Sequence, residues 1–171
     1  MVPVRYADRY EIMQWRNEQI DILRQKEILT EEKQDNYFRE VIAKLFDEKK
    51  PTQLIFSLLL NNQLIGYGGL VHIDWNKRTA EISFLNKTER ANDLKKFAQD
   101  WIAFLDMIEK VAFKNANLYS INTYAYNLRP YLYPILESAG FIKDENKKRS
   151  LIDTDKYSDI VIHYKLNVTD K

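Results

Sequence analysis

The sequence contains no cysteine and few residues of the other types that bind metals or break regular structure. Its 171 residues include four glycines, four prolines, two histidines and no cysteine. Without thiols, the chain has no disulfides, no cysteine nucleophile and no cysteine metal ligand. Because His72 and His163 are its only imidazoles, we expect no zinc or other metal site.

The chain also lacks long hydrophobic runs and an excess of either charge. The longest apolar run, around residues 58–60, is far too short to span a bilayer, and residues 1–20 alternate charged with apolar side chains, unlike a signal peptide. The formal net charge of +1, from 26 basic and 25 acidic residues, gives no electrostatic reason to expect nucleic-acid binding. We therefore expect a cytoplasmic protein without membrane or nucleic-acid partners.

Hydrophobic residues make up 45% of the chain, which is enough for a substantial core. Neither a linker composition nor an internal repeat divides the sequence. We expect residues 1–171 to form one domain.

Residues 78–126 show strand, helix and strand patterns in succession. Ala80, Ile82 and Phe84 alternate with polar residues such as Glu81, the period of a strand with one buried face, so Glu81 points away from that face. Residues 118–126 are the second predicted strand. Between the strands, apolar residues at three- and four-residue spacing predict an amphipathic helix. They are Phe97, Trp101, Phe104, Leu105, Ile108 and Ala112.

Two strands joined by so long a segment predict a right-handed parallel pair, because a tight hairpin is impossible. Ligands of such units bind beyond the carboxyl ends of the strands, near the helix N-terminus, where unpaired N–H groups favour an anion. We therefore expect the functional site between residues 85–94 and residues 126–133.

The segments before this unit predict helices and then a hairpin. One helix is expected from Asp8, and a second from its N-cap Thr30. Residues 53–60 and 64–73 predict a hairpin, and glycines in its second strand indicate a bulge or a close backbone approach. The helix after Thr30 has one apolar face, formed by Tyr37, Phe38, Val41, Ile42, Leu45 and Phe46.

After the crossover, Pro130 is suited to the first turn of another helix, and Gly140 is suited to its end. Two closing strands are expected at about residues 142–152 and 159–166, around a turn at residues 153–158.

This order of elements resembles the GNAT superfamily of acetyl-CoA-dependent N-acetyltransferases. Several segments carry the resemblance: Leu64-Ile-Gly-Tyr-Gly-Gly-Leu70, Arg78-Thr-Ala-Glu-Ile-Ser-Phe84, Asn127 before a helix ending Glu137-Ser-Ala-Gly-Phe141, and Asp155-Lys-Tyr-Ser-Asp159 before Ile160-Val-Ile-His-Tyr164. The opening segments resemble the branch that contains ribosomal-protein and bacterial amino-sugar N-acetyltransferases. They are Trp15-Arg16-Asn17, Arg24 and Thr30-Glu-Glu-Lys-Gln34.

The resemblance implies a single mixed α/β domain with a mostly antiparallel sheet of about seven strands, one parallel crossover and about four helices. It also implies direct attack of an amine on acetyl-CoA, without a metal. We expect a small-molecule primary amine as acceptor, first of all a nucleotide-linked amino sugar, and a monomer or homodimer. A protein N-terminus, as in ribosomal-protein acetylation, and a non-catalytic module that binds CoA or a metabolite are the alternatives.

The resembled diphosphate loop has the form Gln/Arg-x-x-Gly-x-Gly/Ala, but this chain has no glycine between Gly69 and Gly140. In the corresponding residues 86–96, β-carbons restrict how closely a phosphate approaches the backbone. Three basic residues are candidate phosphate ligands by charge, with ordinary solvated side chains as the alternative: Arg90, Lys95 and Lys96.

For catalysis, the resemblance implies that Glu81 is the base, because it occupies the acidic position of the Ala-Glu-Ile segment. Its alternative role is an ion pair with Arg78 or Lys87 on an exposed sheet face. The family's tyrosine acid, four residues before the closing glycine, is replaced here by Leu136. Two tyrosines of the same helix are the candidate acids, and packing is their alternative role: Tyr131 and Tyr133.

The resemblance further implies that Phe84, Leu85 and Asn86 offer backbone groups to the pantetheine arm, and that Asn127 contacts the cofactor. Arg16 and Arg24 are candidates to hold a phosphate or carboxylate of the acceptor, because guanidinium groups suit those anions. Their alternative role is a surface salt bridge with a nearby acid, namely Glu18, Asp21 or Glu27.

Overall fold

A mixed seven-stranded sheet lies between two layers of helices in the structure, a computed structural model that describes residues 1–145 and 160–168. The strands are β1 (Val2–Pro3), β2 (Leu54–Leu60), β3 (Gln63–Asp74), β4 (Thr79–Asn86), β5 (Ser120–Tyr126), β6 (Ile142–Lys143) and β7 (Ile160–Leu166). The helices are α1 (Arg9–Glu18), α2 (Glu31–Tyr37), α3 (Ala43–Leu45), α4 (Thr88–Ala91), α5 (Leu94–Glu109) and α6 (Tyr133–Ser138).

The strands follow the order β1-β2-β3-β4-β5-β7-β6, and every neighbouring pair except one is antiparallel. The exception is β4 with β5, which run parallel on either side of the crossover through α5. The mixed α/β class, the sheet of seven strands and the parallel crossover predicted from the sequence are therefore confirmed.

Two hydrophobic clusters fix the helices to opposite faces of the sheet. On one face, Phe84 of β4 stacks on Phe104 of α5 with ring centroids 4.1 Å apart, and Trp101 meets Phe84 edge-on. On the other face, Trp15 of α1 packs in a cluster with Tyr67 of β3. Each large side chain buried in this way contributes about 1.5–3 kcal/mol, so both layers are firmly held.

The β2–β3 hairpin turns at Asn61 and Asn62, which have φ angles of 49° and 63°. The predicted irregularity is present, since the register of the pair shifts between Leu58 and Leu59. A β-carbon on Gly68 would lie 2.1 Å from the carbonyl oxygen of Ser83. Gly68 therefore marks a close backbone approach to β4, and a β-carbon on Gly69 would meet the Leu54 carbonyl of β2 in the same way, as the sequence predicted.

Local signals near the N-terminus are also confirmed. Thr30 caps α2, its hydroxyl oxygen accepting the amide of Lys33 at 3.3 Å. The apolar face of the same segment was predicted too broadly, because Phe46 is 60% exposed and Val41 is 36% exposed. A π-helical turn at Phe38–Ile42 changes the residue spacing within this segment and separates α2 from α3.

The end of the chain differs from the prediction in its described part. The strand expected over residues 142–152 ends at Lys143, and residues 146–159, with the expected turn, lie outside the described residues. The short helix α4, before α5, has no counterpart in the sequence prediction. None of the described helices is long and apolar enough to cross a membrane.

Candidate functional site

The parallel strands β4 and β5 separate before either of them ends. Their pairing runs from Thr79 with Ser120 to Ile82 with Thr123, and both strands then continue for several residues without pairing to each other. Between them lies a slot of about 190 Å³. Its walls are formed by residues 81–84, residues 123–126, Trp101, Arg129 and Leu132, together with Arg16 and residues 22–25 of the N-terminal segment.

The slot exposes strand edges that an extended ligand can use. Beyond Ile82, β4 stays paired with β3 as far as Gly66 with Asn86, but its edge towards β5 has no strand partner. An arm that contains amide groups can add to such an edge through backbone hydrogen bonds. Phe84 lines the slot, while the carbonyl of Asn86 already accepts the side-chain amide of Gln19 at 2.9 Å.

Wider clefts occur elsewhere. A groove of about 440 Å³ runs beside Phe46 and Trp75, and an open trough of about 490 Å³ lies over Asn122, Tyr124 and Tyr164. The groove lies away from Glu81 and from the unpaired edges of β4 and β5. The trough shares Tyr124 with the slot, so the two form a continuous surface.

Glu81 forms an ion pair with Arg24 at the slot. The carboxylate side chain is only 11% exposed, whereas that of Arg24 is 41% exposed, and the Arg24 guanidinium lies 5.0 Å from the ring centroid of Tyr124. Arg78, which the sequence suggested as an alternative partner of Glu81, donates to the carbonyl of Asn117 at 2.7 Å. A predicted base and a predicted substrate residue therefore meet in one place, through a contact that the sequence analysis did not include.

Arg16 also lines the slot, and its Nε donates to the side-chain carbonyl of Gln25 at 3.0 Å. This contact, like that of Arg24 with Glu81, differs from the local salt bridges considered from the sequence. Both arginines lie at the slot wall formed by the N-terminal segment, and their role in binding an acceptor stays a prediction.

The candidate acids lie next to the slot, outside its described lining. The Tyr133 hydroxyl donates to Oδ1 of Asn127 at 2.7 Å, and its ring centroid lies 5.1 Å from that of His163. Burial raises the pKa of Tyr133, and the charge of Arg129 opposes that shift. Tyr131 packs edge-on against Phe97 at 5.0 Å. Their assignment as acids, and that of Asn127 as a cofactor contact, stay predictions.

Arg90 is part of a buried network beside the unpaired end of β4. Its Nε and one terminal nitrogen donate to the two oxygens of Asp100 at 2.7 and 2.6 Å, and the side-chain amide of Asn86 donates to the same carboxylate at 3.0 Å. Asp100 is 3% exposed. The ion pair with Asp100 raises the pKa of Arg90. It also holds α4 against α5. The role of Arg90 as a phosphate ligand stays a prediction.

The first turn of α5 is capped by its own chain. Oδ1 of Asp93 accepts the amides of Lys95 and Lys96, each at 3.1 Å, and the Lys96 ammonium lies 3.1 Å from Oδ2. These contacts lower the pKa of Asp93, the amide of Lys96 most of all. The two lysines predicted as phosphate ligands therefore have their backbone donors occupied by a carboxylate.

The slot overlaps the predicted site in part. The sequence placed the site between residues 85–94 and 126–133, and Tyr126, Arg129 and Leu132 of the second segment line the slot, which also extends over residues 81–84 and 123–125. The location of the site stays a prediction. Arg129, Tyr124 and Trp101 were not named as site residues. The period-2 alternation that places Glu81 could also have predicted Tyr124. Glu81 pairs with Asn122, and Tyr124, two residues further along β5, lies on the same face of the sheet.

Among the described residues, no group of three His, Asp or Glu side chains is arranged to hold a metal ion. The ionisable groups of the slot, Glu81 with three arginines, instead suit acid–base chemistry and anion binding.

A sequence model of the family described as "Acetyltransferase (GNAT) domain" matches residues 1–162. The chain belongs to the GNAT acetyltransferase family. Such enzymes transfer an acetyl group from acetyl-CoA to an amine, so this protein is an acetyl-CoA-dependent N-acetyltransferase. No curated protein is similar enough in sequence to count as a match.

Solved structures confirm the fold of the acetyltransferase. A complex of Vibrio cholerae spermidine N-acetyltransferase with CoA and spermine is 18% identical, covers 96% of this chain and 93% of its own, and gives a TM-score of 0.77. A chimera of that enzyme, SpeG, with hSSAT gives the same score and identity over 98% of this chain and 96% of its own. A dodecameric form of the Vibrio cholerae enzyme is 19% identical and gives a TM-score of 0.74. The match covers 97% of this chain and 92% of that chain.

We predict that Asp100→Ala lowers the free energy of unfolding by about 3–5 kcal/mol, because it leaves the Arg90 charge largely buried without a partner. The double variant Arg90→Met with Asp100→Leu should lose clearly less, since both charges disappear together. Denaturant unfolding measures both. Asp106→Ala, which removes an exposed ion pair with Lys110 from the same helix, is the control and should change stability by less than about 1 kcal/mol. A double variant as unstable as Asp100→Ala would contradict this account.

Proposed function

We propose that the acetyltransferase acetylates a primary amine of a small cationic molecule, such as a polyamine, and that the reacting amine lies next to Glu81. The observation that carries the proposal is the Arg24 guanidinium, which pairs with the Glu81 carboxylate and lies over the Tyr124 ring. A carboxylate next to an aromatic face attracts ammonium groups as well as guanidinium groups. Arg24 therefore marks the place of the acceptor's cation, and the acceptor replaces it.

The trough beside the slot supports an extended acceptor. It shares Tyr124 with the slot and continues over Asn122 and Tyr164, on the face of the sheet that carries Glu81. A reacting amine at Glu81 leaves the rest of the molecule room along this surface. The Vibrio cholerae enzyme of similar fold is named for spermidine, which makes polyamines the first acceptors to test.

In the proposed reaction, the thioester lies in the slot and the neutral amine attacks its carbonyl carbon. A C–N bond forms and the C–S bond breaks, Glu81 accepts a proton from the nitrogen directly or through water, and the leaving thiolate accepts a proton. Tyr133 is the first candidate for that second transfer and Tyr131 is the other. Since burial raises the pKa of Tyr133, its hydroxyl stays protonated at neutral pH.

A nucleotide-linked amino sugar is the second candidate acceptor. Arg16, Arg24 and Arg129 line the slot, and guanidinium groups suit a diphosphate. This choice corresponds to the amino-sugar branch that the opening segments resemble. It requires Arg24 to help hold the acceptor, whereas a polyamine requires Arg24 to leave Glu81.

The remaining features of the enzyme follow the sequence analysis. We place it in the cytoplasm, as one domain over residues 1–171 and as a monomer or homodimer. We also propose that residues 86–96 are a degenerate form of the family's diphosphate loop, because they contain no glycine.

We predict that spermidine or spermine gives faster thiol release from acetyl-CoA, at lower KM, than a nucleotide-linked amino sugar or a peptide with a free N-terminus. The reason is that the Glu81 carboxylate and the Tyr124 ring, which now contact Arg24, form a site for the ammonium group of an acceptor. Thiol release is followed with a chromogenic disulfide, and fully acetylated spermidine serves as the control acceptor. Turnover of the amino sugar alone would favour the second candidate, and CoA binding without any turnover would favour a non-catalytic module.

Glu81→Gln should lower kcat by about 100-fold or more, because the carboxylate can no longer accept the amine's proton. The fall of kcat at low pH should weaken in the same variant, while the Kd for CoA stays near its original value. Rate profiles against pH and calorimetry provide the two measurements. Glu89→Gln, an exposed carboxylate in α4, is the matched control. Unchanged rates would remove Glu81 from the mechanism.

Arg24→Ala should lower the KM for a polyamine by about two- to fivefold, since the acceptor no longer displaces a partly exposed ion pair. For a nucleotide-linked amino sugar, the same change should raise KM. Steady-state kinetics with both acceptors give opposite signs for the two candidates. Arg39→Ala removes an equal charge from an exposed position and is the control. A higher KM for the polyamine would overturn the proposed role of Arg24.

A further inference from the structure

The start of α5 corresponds to the segment that binds the donor's diphosphate in the resembled family, but backbone N–H groups of its first turn already have partners within the chain. At the start of α5, Asp93 accepts the amides of Lys95 and Lys96. Every residue of the corresponding segment 86–96 also carries a β-carbon, whereas the resembled loop has glycines. Carboxylate and diphosphate need the same donors, and two anions repel each other at one helix end. The first turn of α5 therefore does not fit a diphosphate as a glycine loop does.

Arg129 offers a cation at the other wall of the slot. Its side chain lines the slot half-buried, and it forms no ion pair with any carboxylate in the described part of the chain. Burial lowers its pKa, and the nearby groups that act in the other direction are the hydroxyls of Tyr131 and Tyr133. A buried guanidinium without an anion costs free energy, which binding an anion recovers.

The chain path places Arg129 close to the first turn of α5. Tyr131, two residues further on, packs against Phe97 of that turn with ring centroids 5.0 Å apart. Of the other slot arginines, Arg24 is held by Glu81, the only described carboxylate of the lining, and Arg16 donates to the side chain of Gln25 at the wall formed by the N-terminal segment. Arg129 is thus the cation best placed for an anion that approaches α5 from the slot.

We propose that Arg129 binds the diphosphate of acetyl-CoA, replacing the amide contacts that Asp93 blocks at the start of α5. A guanidinium presents paired N–H donors that match phosphate oxygens. The inference rests on the use of acetyl-CoA by this enzyme, and it competes with the assignment of Arg129 to the diphosphate of a nucleotide-linked acceptor.

Calorimetric titration of Arg129→Met with CoA, dephospho-CoA and pantetheine tests the proposal without any turnover. CoA and dephospho-CoA both contain the diphosphate. The affinity of the variant for each should fall by about tenfold or more, because a charged hydrogen-bond pair is lost. Pantetheine, which has no phosphate, should bind as it does to the unchanged protein. Arg129→Lys should lose less than Arg129→Met, and Arg39→Met should bind all three ligands normally. Circular dichroism compares folding, and the lysine variant keeps the test open if the methionine variant is unfolded.

Three outcomes would overturn the proposal: unchanged affinity for CoA, an equal loss for pantetheine, or a loss for CoA that dephospho-CoA does not share. A change confined to the KM of a phosphorylated acceptor would assign Arg129 to the acceptor and also overturn it. If the unchanged protein binds CoA but acetylates none of the tested amines, the proposed function fails, while the role of Arg129 is still decided by these titrations.

Discussion

The site depends on the way β4 and β5 are each held by the strand on their outer side. β5 pairs with β7 along its whole length, from Ser120 to Tyr126, and β4 remains paired with β3 up to Asn86. The two strands thus keep most of their backbone hydrogen bonds even though they stop pairing with each other after Ile82. A gap in a sheet is normally costly because buried N–H and C=O groups need partners. Here the open edges face a slot in which a ligand can supply them.

Several charged groups around this slot already have partners within the chain, and Arg129 is an exception in the described residues. Arg24 neutralises Glu81, Asp100 holds Arg90, and Asp93 caps α5. Under the proposed function, Arg24 and Asp93 lie where substrate groups of like charge would bind. Substrate binding then exchanges one ion pair for another, so the net gain in affinity is smaller than the new contacts alone suggest.

Periodicity and capping signals predicted the crossover and the N-terminal elements, whereas the sheet of about seven strands was implied by the resemblance, and neither α4 nor the early end of β6 was predicted. The alternation at residues 80–84 gave the faces of β4, the spacing from Phe97 to Ala112 gave the helix, and the length between the strands gave their parallel direction. The point at which the strands separate is not encoded in either period. The pairing of Arg24 with Glu81 joins residues 57 positions apart, and a choice among many possible partners at such distances requires the assembled structure. The Asp93 cap was readable, since an aspartate directly precedes the helix.

The resemblance implies a tyrosine acid at the position of Leu136, and the lack of that tyrosine bears on which proton transfer limits the proposed reaction. Leu136 is 1% exposed and packs in the main core. The Tyr133 hydroxyl already donates to Asn127, and it must turn away from that contact before it protonates a thiolate. A thiolate leaves readily even without an acid, because thiols are far more acidic than alcohols. In the proposed mechanism, the removal of the amine's proton is therefore the step that has a dedicated group, and turnover should depend on Glu81 more than on either tyrosine.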